Sequence, residues 1–145
     1  MIEILFTIAI GLIGGIAVGT QNPIAGAMSQ RVGGAASSMI VHFSGFIASL
    51  ALLIFRGGEN IEKWRELPWY MLCSGGFGLI LILSISHTIP KLGAVSAVTL
   101  VIVGQLLAGV VVDYLGAFNT VPRDLELTRI VGIVLLLLGA YLVIK

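Results

Sequence analysis

Residues 4–20 read ILFTIAIGLIGGIAVGT, seventeen positions with no charge and no proline. As a helix rising 1.5 Å per residue, that stretch covers about 25 Å, close to the ~30 Å hydrocarbon core of a bilayer. Inside that core no water satisfies backbone groups, so a crossing segment closes its own hydrogen bonds as a helix. Four more apolar stretches follow, and the spans they predict lie at 4–28, 36–55, 68–86, 92–114 and 127–144. Together they fill nearly all of the 145 residues. Hydrophobic residues make up 58% of the chain and charged ones 10%, with a mean hydropathy of +1.11. These values predict an all-α polytopic membrane protein, five transmembrane helices in one domain over residues 1–145, with loops taking up what the spans leave.

Composition excludes several classes. A formal charge of +1 with no dense basic run gives nothing for a nucleic acid to bind. Cys73 is the one cysteine, which rules out an intrachain disulfide and a thiolate metal cluster. Catalysis finds no support: the sequence has no His-x-x-x-His pair, no phosphate-binding glycine loop and no convincing Ser/His/Asp set. The expectation is a protein that is not an enzyme, with no cofactor and no metal. The first stretch reads as a permanent span rather than a signal peptide, because the first charge is Glu3 and no Ala-x-Ala site precedes a soluble domain.

Gln21-Asn22-Pro23 interrupts the first span. Proline lacks an N–H and clashes with the carbonyl four residues back, so Pro23 is expected to kink or end the helix. His87-Thr88-Ile89-Pro90-Lys91 reads as a short break between the third and fourth spans. Trp64, Trp69 and Tyr70 fall where an aromatic belt lies at the headgroups.

In lipid, helices associate through close backbone approach at small residues. Gly11, Gly15 and Gly19 recur every four positions on the first helix, and Gly45 and Ser49 repeat that spacing on the second. These faces are either ordinary packing grooves or a seam against a second copy. With five spans, Arg56, Lys63, Arg65, Arg123 and Arg129 fall on the side of the N-terminus, and Arg31, Lys91 and Lys145 on the other. Five against three is a shallow lean toward a cytoplasmic N-terminus. It leaves open a fixed topology or insertion both ways, the latter giving the inverted pair that many transporters use.

Polar groups at membrane depth usually face a cavity or a neighbouring helix. The candidate substrate-binding residues are Gln21, Asn22, His42 and Gln105. Gln105 lies near the middle of the fourth span, and its amide both donates and accepts. Asp113, about 12 Å further along, is the coupling-ion candidate or else a partly solvated helix-end carboxylate. A helix broken at Asn22-Pro23 would free carbonyls beside the side-chain amides.

Pro68-Trp69-Tyr70, Gly75-Gly76-Phe77-Gly78, Ile89 to Ala94, Gly104-Gln105-Leu106 and Asp113 to Gly116, taken in this order, resemble the small YdcZ-like family of the drug/metabolite transporter superfamily. The likeness extends over essentially the whole chain. It implies a half-transporter acting as an antiparallel, dual-topology homodimer in a bacterial inner membrane, with a small-molecule substrate and alternating access. Family members usually carry an asparagine four residues after the first-helix glutamine, and here that position is Ala25. A dual-topology channel and a non-transporting membrane subunit are the alternative readings of the same residues.

Overall fold

The structure, a computed structural model, describes residues 2–124 and 126–145. Helix α1 spans Ile2–Val32, α2 Gly34–Phe55, α3 Trp69–Leu72, α4 Gly75–Leu115 and α5 Leu127–Ile144. Short 3₁₀ turns occupy Ile61–Glu66 and Ala117–Asn119. Among the described residues, four helical segments are long and apolar enough to cross a membrane: α1, α2, the stretch Trp69–Leu115 and α5. In each, between 0% and 6% of the most apolar window is buried. Side chains such as Ile16, Phe46, Leu79 and Leu135 stand open on the chain's surface. A continuous apolar surface of that extent needs lipid or another apolar chain against it.

Two expectations about helix breaks change. α1 does not end at Pro23 but runs on to Val32, because leaving the helix in a lipid core would strand further backbone groups where no water can satisfy them. The expected break at His87–Lys91 is helical as well, and the non-helical residue is Gly93, with φ 78° and ψ 166°. That conformation suits a residue without a Cβ. Pro90 cannot donate to the Ser86 carbonyl one turn back. The Gln30 side-chain amide donates to that carbonyl instead, at 3.1 Å. The predicted third and fourth spans therefore lie on one helix interrupted at Gly93.

The chain forms two compact units, one up to His87 and the other from Thr88. In the first, Gly33 (φ 87°) reverses the chain between α1 and α2. The buried positions of α1 are Asn22, Ala25, Gly26 and Ser29, a single helical face. Ser37 and Ser38 are the buried positions of α2, and Ile82 and Ile85 those that α4 contributes to this unit. This core of serine, alanine and glycine permits the close backbone approach on which packing in lipid depends. Gly34 shows the fit, since an added Cβ would come 2.9 Å from Leu83 Cδ2 and 3.3 Å from Ser86 Oγ. Beyond the core, residues 2–18 of α1 and 42–52 of α2 are exposed. A Cβ at Gly11, Gly15, Gly19 or Gly45 would meet no atom within 4 Å. Within the single chain these glycines seal nothing.

In the second unit α5 returns along the C-terminal part of α4. Thr99, Ile102 and Leu106 face Leu136, Gly139 and Val143 across an apolar groove of about 410 Å³. At its loop end Arg129 pairs with Asp113, and the Arg123 N–H donates to the Asp113 carbonyl at 3.0 Å.

Candidate functional site

A cavity of about 370 Å³ opens in the first unit where α1, α2 and α4 meet. α1 lines it with Gln21, Asn22 and Ala25, and α2 with Val41, His42, Gly45 and Ser49. α4 closes the third wall with Gly78, Leu81 and Ile82. Spacing explains each set: 21, 22 and 25 lie within one helical turn, as do 78, 81 and 82, while 41, 45 and 49 repeat every fourth residue.

The buried polar groups around the cavity are satisfied, with one exception. Ser29 Oγ donates to the Gly26 carbonyl at 2.7 Å, and Ser37 Oγ to the Ala25 carbonyl at 2.9 Å. Ser38 Oγ lies 3.2 Å from His42 Nδ1. Asn22 is 3% exposed, and among the described residues its amide nitrogen Nδ2 is the buried side-chain atom with no hydrogen-bond partner. Buried donors are nearly always paired, and an unpaired one costs about 1–3 kcal/mol. Asn22 lines the cavity, while its amide nitrogen is a donor that the single chain seals in without a partner.

His42 is held by its other face. Nδ1 lies 2.7 Å from the Ser38 carbonyl oxygen. A carbonyl only accepts, so Nδ1 carries the proton of this contact. Nε2 packs over Gly78, where an added Cβ would overlap it. The glycine is the space the imidazole uses. Pro23 adds one more polar group nearby, since it leaves the Gly19 carbonyl, one turn before Asn22, without its helical donor.

The four candidate binding residues thus part company. Gln21, Asn22 and His42 line one cavity. Gln105 belongs to the second unit, is exposed on α4 and is not among the residues lining that cavity. Asp113 is part-buried and paired with Arg129 rather than free. Sequence reasoning missed Gly78 and Gln30 as contributors. Gly78 had a signal, its place in Gly75-Gly76-Phe77-Gly78; Gln30 had none.

The chain matches the family described as "Putative inner membrane exporter, YdcZ" over residues 6–142. The chain belongs to this family. No curated protein and no solved structure gives a significant match to it. The family's description is that of a membrane exporter and names no enzymatic activity. Ala25, where family members usually carry asparagine, is 1% exposed. Its carbonyl takes the Ser37 hydroxyl, so this position joins α1 to α2 through its backbone while Asn22 presents the amide.

Proposed function

We propose that this chain is half of a small-molecule exporter that works by alternating access as an antiparallel homodimer. Each copy crosses the inner membrane five times. Gly93 divides Trp69–Leu115 into two spans, since 47 residues would make a helix about 70 Å long, more than twice a bilayer core. The cargo binds in the cavity of the first unit, on Asn22, with Gln21 and His42 beside it and Gln105 as a further contact in the assembled dimer.

The observation that carries this reading is the cavity itself, where polar Gln21, Asn22 and His42 gather from otherwise apolar helices. Gly11, Gly15, Gly19 and Gly45 support the second copy, because the single chain leaves a glycine surface uncovered and close helix approach in lipid depends on such surfaces. The Asp113–Arg129 pair ties α4 to α5 in each copy; as a coupling site Asp113 would act in the state where that pair is open.

Export is tested by comparing small molecules in the medium of cells producing the wild type and Asn22→Leu at equal levels. Enrichment of a compound by the wild type that Asn22→Leu abolishes is the expected result. Identical media would refute the exporter reading.

A further inference from the structure

The second unit carries a charged pocket and an apolar groove on the same two helices. The pocket, of about 540 Å³, lies where the loop after α4 enters α5 and is lined by Arg123, Asp124, Glu126 and Arg129. Among the described residues the side chains of Arg123, Asp124 and Glu126 join no ion pair, and Arg129 is held by Asp113. The groove of about 410 Å³ has Thr99 as its one polar lining residue, and that hydroxyl is spent on the Val95 carbonyl at 2.9 Å. Register joins the two features. On α4, Asp113, Leu106 and Thr99 fall at seven-residue steps, and on α5 Arg129, Leu136 and Val143 do the same. Seven residues are close to two helical turns, so each set shares one face. The Asp113–Arg129 pair thus marks the charged end of the seam that the groove follows. From Arg129 to Val143 the rise is about 21 Å, the depth of one leaflet with its headgroups, or half of a bilayer of ~40–45 Å.

We propose that this face binds one phospholipid with a phosphoethanolamine headgroup, its head at the Arg123–Arg129 pocket and an acyl chain in the groove. Chemistry selects the headgroup. Guanidinium groups match phosphate, and the Asp124 and Glu126 carboxylates accept from a primary ammonium, which has three N–H donors. The four pocket residues sum to zero charge, which suits a zwitterion. A glycerol headgroup would bring the phosphate's negative charge to two carboxylates with no cation of its own, and a choline headgroup has no N–H to donate. At roughly 30 Å³ of liquid volume per water, the groove takes on the order of a dozen non-hydrogen atoms, a long segment of one acyl chain. An apolar helix from a second copy would fill the groove yet leave Arg123, Asp124 and Glu126 unpaired. The site stands apart from the cargo cavity and does not depend on it.

Native mass spectrometry of the full chain purified in detergent, with dioleoyl phospholipids added singly, tests this. Phosphatidylethanolamine is expected to stay bound at one per chain. Phosphatidylcholine and phosphatidylglycerol should bind about tenfold more weakly or worse, the worth of one hydrogen bond to a charged group. Arg123→Gln is expected to weaken all three lipids, and Asp124→Asn with Glu126→Gln to bring the ethanolamine lipid down to the level of the choline one. These three side chains are exposed, so their variants carry the test should a groove variant fail to fold. Gly139→Leu fills the groove from a position where a Cβ meets no atom within 4 Å. It should lower lipid retention about tenfold with helical circular dichroism unchanged. Equal binding of the choline or the glycerol lipid by the wild type would overturn the headgroup assignment. Full retention by a folded Gly139→Leu, or water-soluble glycerophosphoethanolamine binding as tightly as the lipid, would overturn the groove as the seat of the tail. A lipid-free wild-type dimer that Gly139→Leu splits would make this face an interface between copies and overturn the lipid.

Discussion

Replacing Asn22 with leucine should make the empty protein more stable. In the wild type the Asn22 amide nitrogen is buried and unpaired, in a residue 3% exposed. Leaving a donor in that state costs about 1–3 kcal/mol. Leucine removes the donor and keeps a side chain of comparable length, and the adjoining cavity of about 370 Å³ leaves room for its second methyl group. The expected gain is therefore about 1–3 kcal/mol, a factor of roughly 5 to 150 in the unfolding equilibrium. Most substitutions at a buried position go the other way, by about 1 kcal/mol on average.

The assay is equilibrium unfolding of the purified protein in mixed micelles by increasing SDS, followed by helical circular dichroism. Ser37→Ala is the control. Ser37 is fully buried in the same three-helix core, but its hydroxyl donates to the Ala25 carbonyl at 2.9 Å. Losing a satisfied bond should destabilise by about 0.5–1.5 kcal/mol. Opposite signs for two polar-to-apolar changes in one core would separate an unpaired donor from a paired one. If Asn22→Leu unfolds at lower SDS than the wild type, the amide has a native partner, and the reasoning from an unpaired donor fails.

Other substitutions test other contacts. Gly78→Ala should displace the His42 ring, weakening ligand binding in the wild type and changing little in a His42→Ala background; additive effects in a double-mutant cycle would show the two do not touch. Gln30→Ala should cost about 1–2 kcal/mol by orphaning the Ser86 carbonyl, and Pro90→Ala, which returns the helical N–H, should erase that cost; an equal loss in both backgrounds would refute the pairing. Asp113→Asn and Arg129→Gln should show a coupling of at most about 1 kcal/mol in the same unfolding assay, because both side chains are about one-third exposed (31% and 34%) and water screens the pair. A single cysteine in the Glu59–Glu66 loop, on a Cys73-free background, should be labelled from outside intact cells in about half the molecules, given the shallow charge bias; labelling of all or none would remove the antiparallel dimer.

How much of this was legible in the sequence depends on how far apart the partners lie along the chain. Periodicity and hydropathy located α1, α2 and α5 to within a few residues at most ends, because a bilayer demands uninterrupted apolar helix. Gln21, Asn22 and His42 were visible as polar groups in apolar helices, and the structure gathers them. Contacts across long separations were not legible. Gln30 and Ser86 stand 56 positions apart, so nothing local revealed that the helix would survive Pro90. Gln105 lies outside the cavity of the first unit, and a polar residue in mid-span fixes depth but not the neighbour it faces.

Ala25 shows how the two levels meet. By the resemblance, this is the position where asparagine is expected four residues after the first-helix glutamine. In the structure the small residue lets α2 come close enough for Ser37 to reach the Ala25 carbonyl. Asparagine's larger side chain would have to fit in a space where Ala25 is already 1% exposed. The amide here is carried three residues earlier, by Asn22, still on the packed face because three residues are close to one helical turn. Moving the asparagine back should therefore fail in a specific way. Ala25→Asn alone should push α2 away and lower stability, by the 1–3 kcal/mol typical of overpacking, and should weaken ligand binding by disturbing His42. Asn22→Leu combined with Ala25→Asn should not recover binding, since Ser37 still needs the space at position 25. Recovery in that double variant would show that the two positions are interchangeable and that the Ser37 contact is incidental.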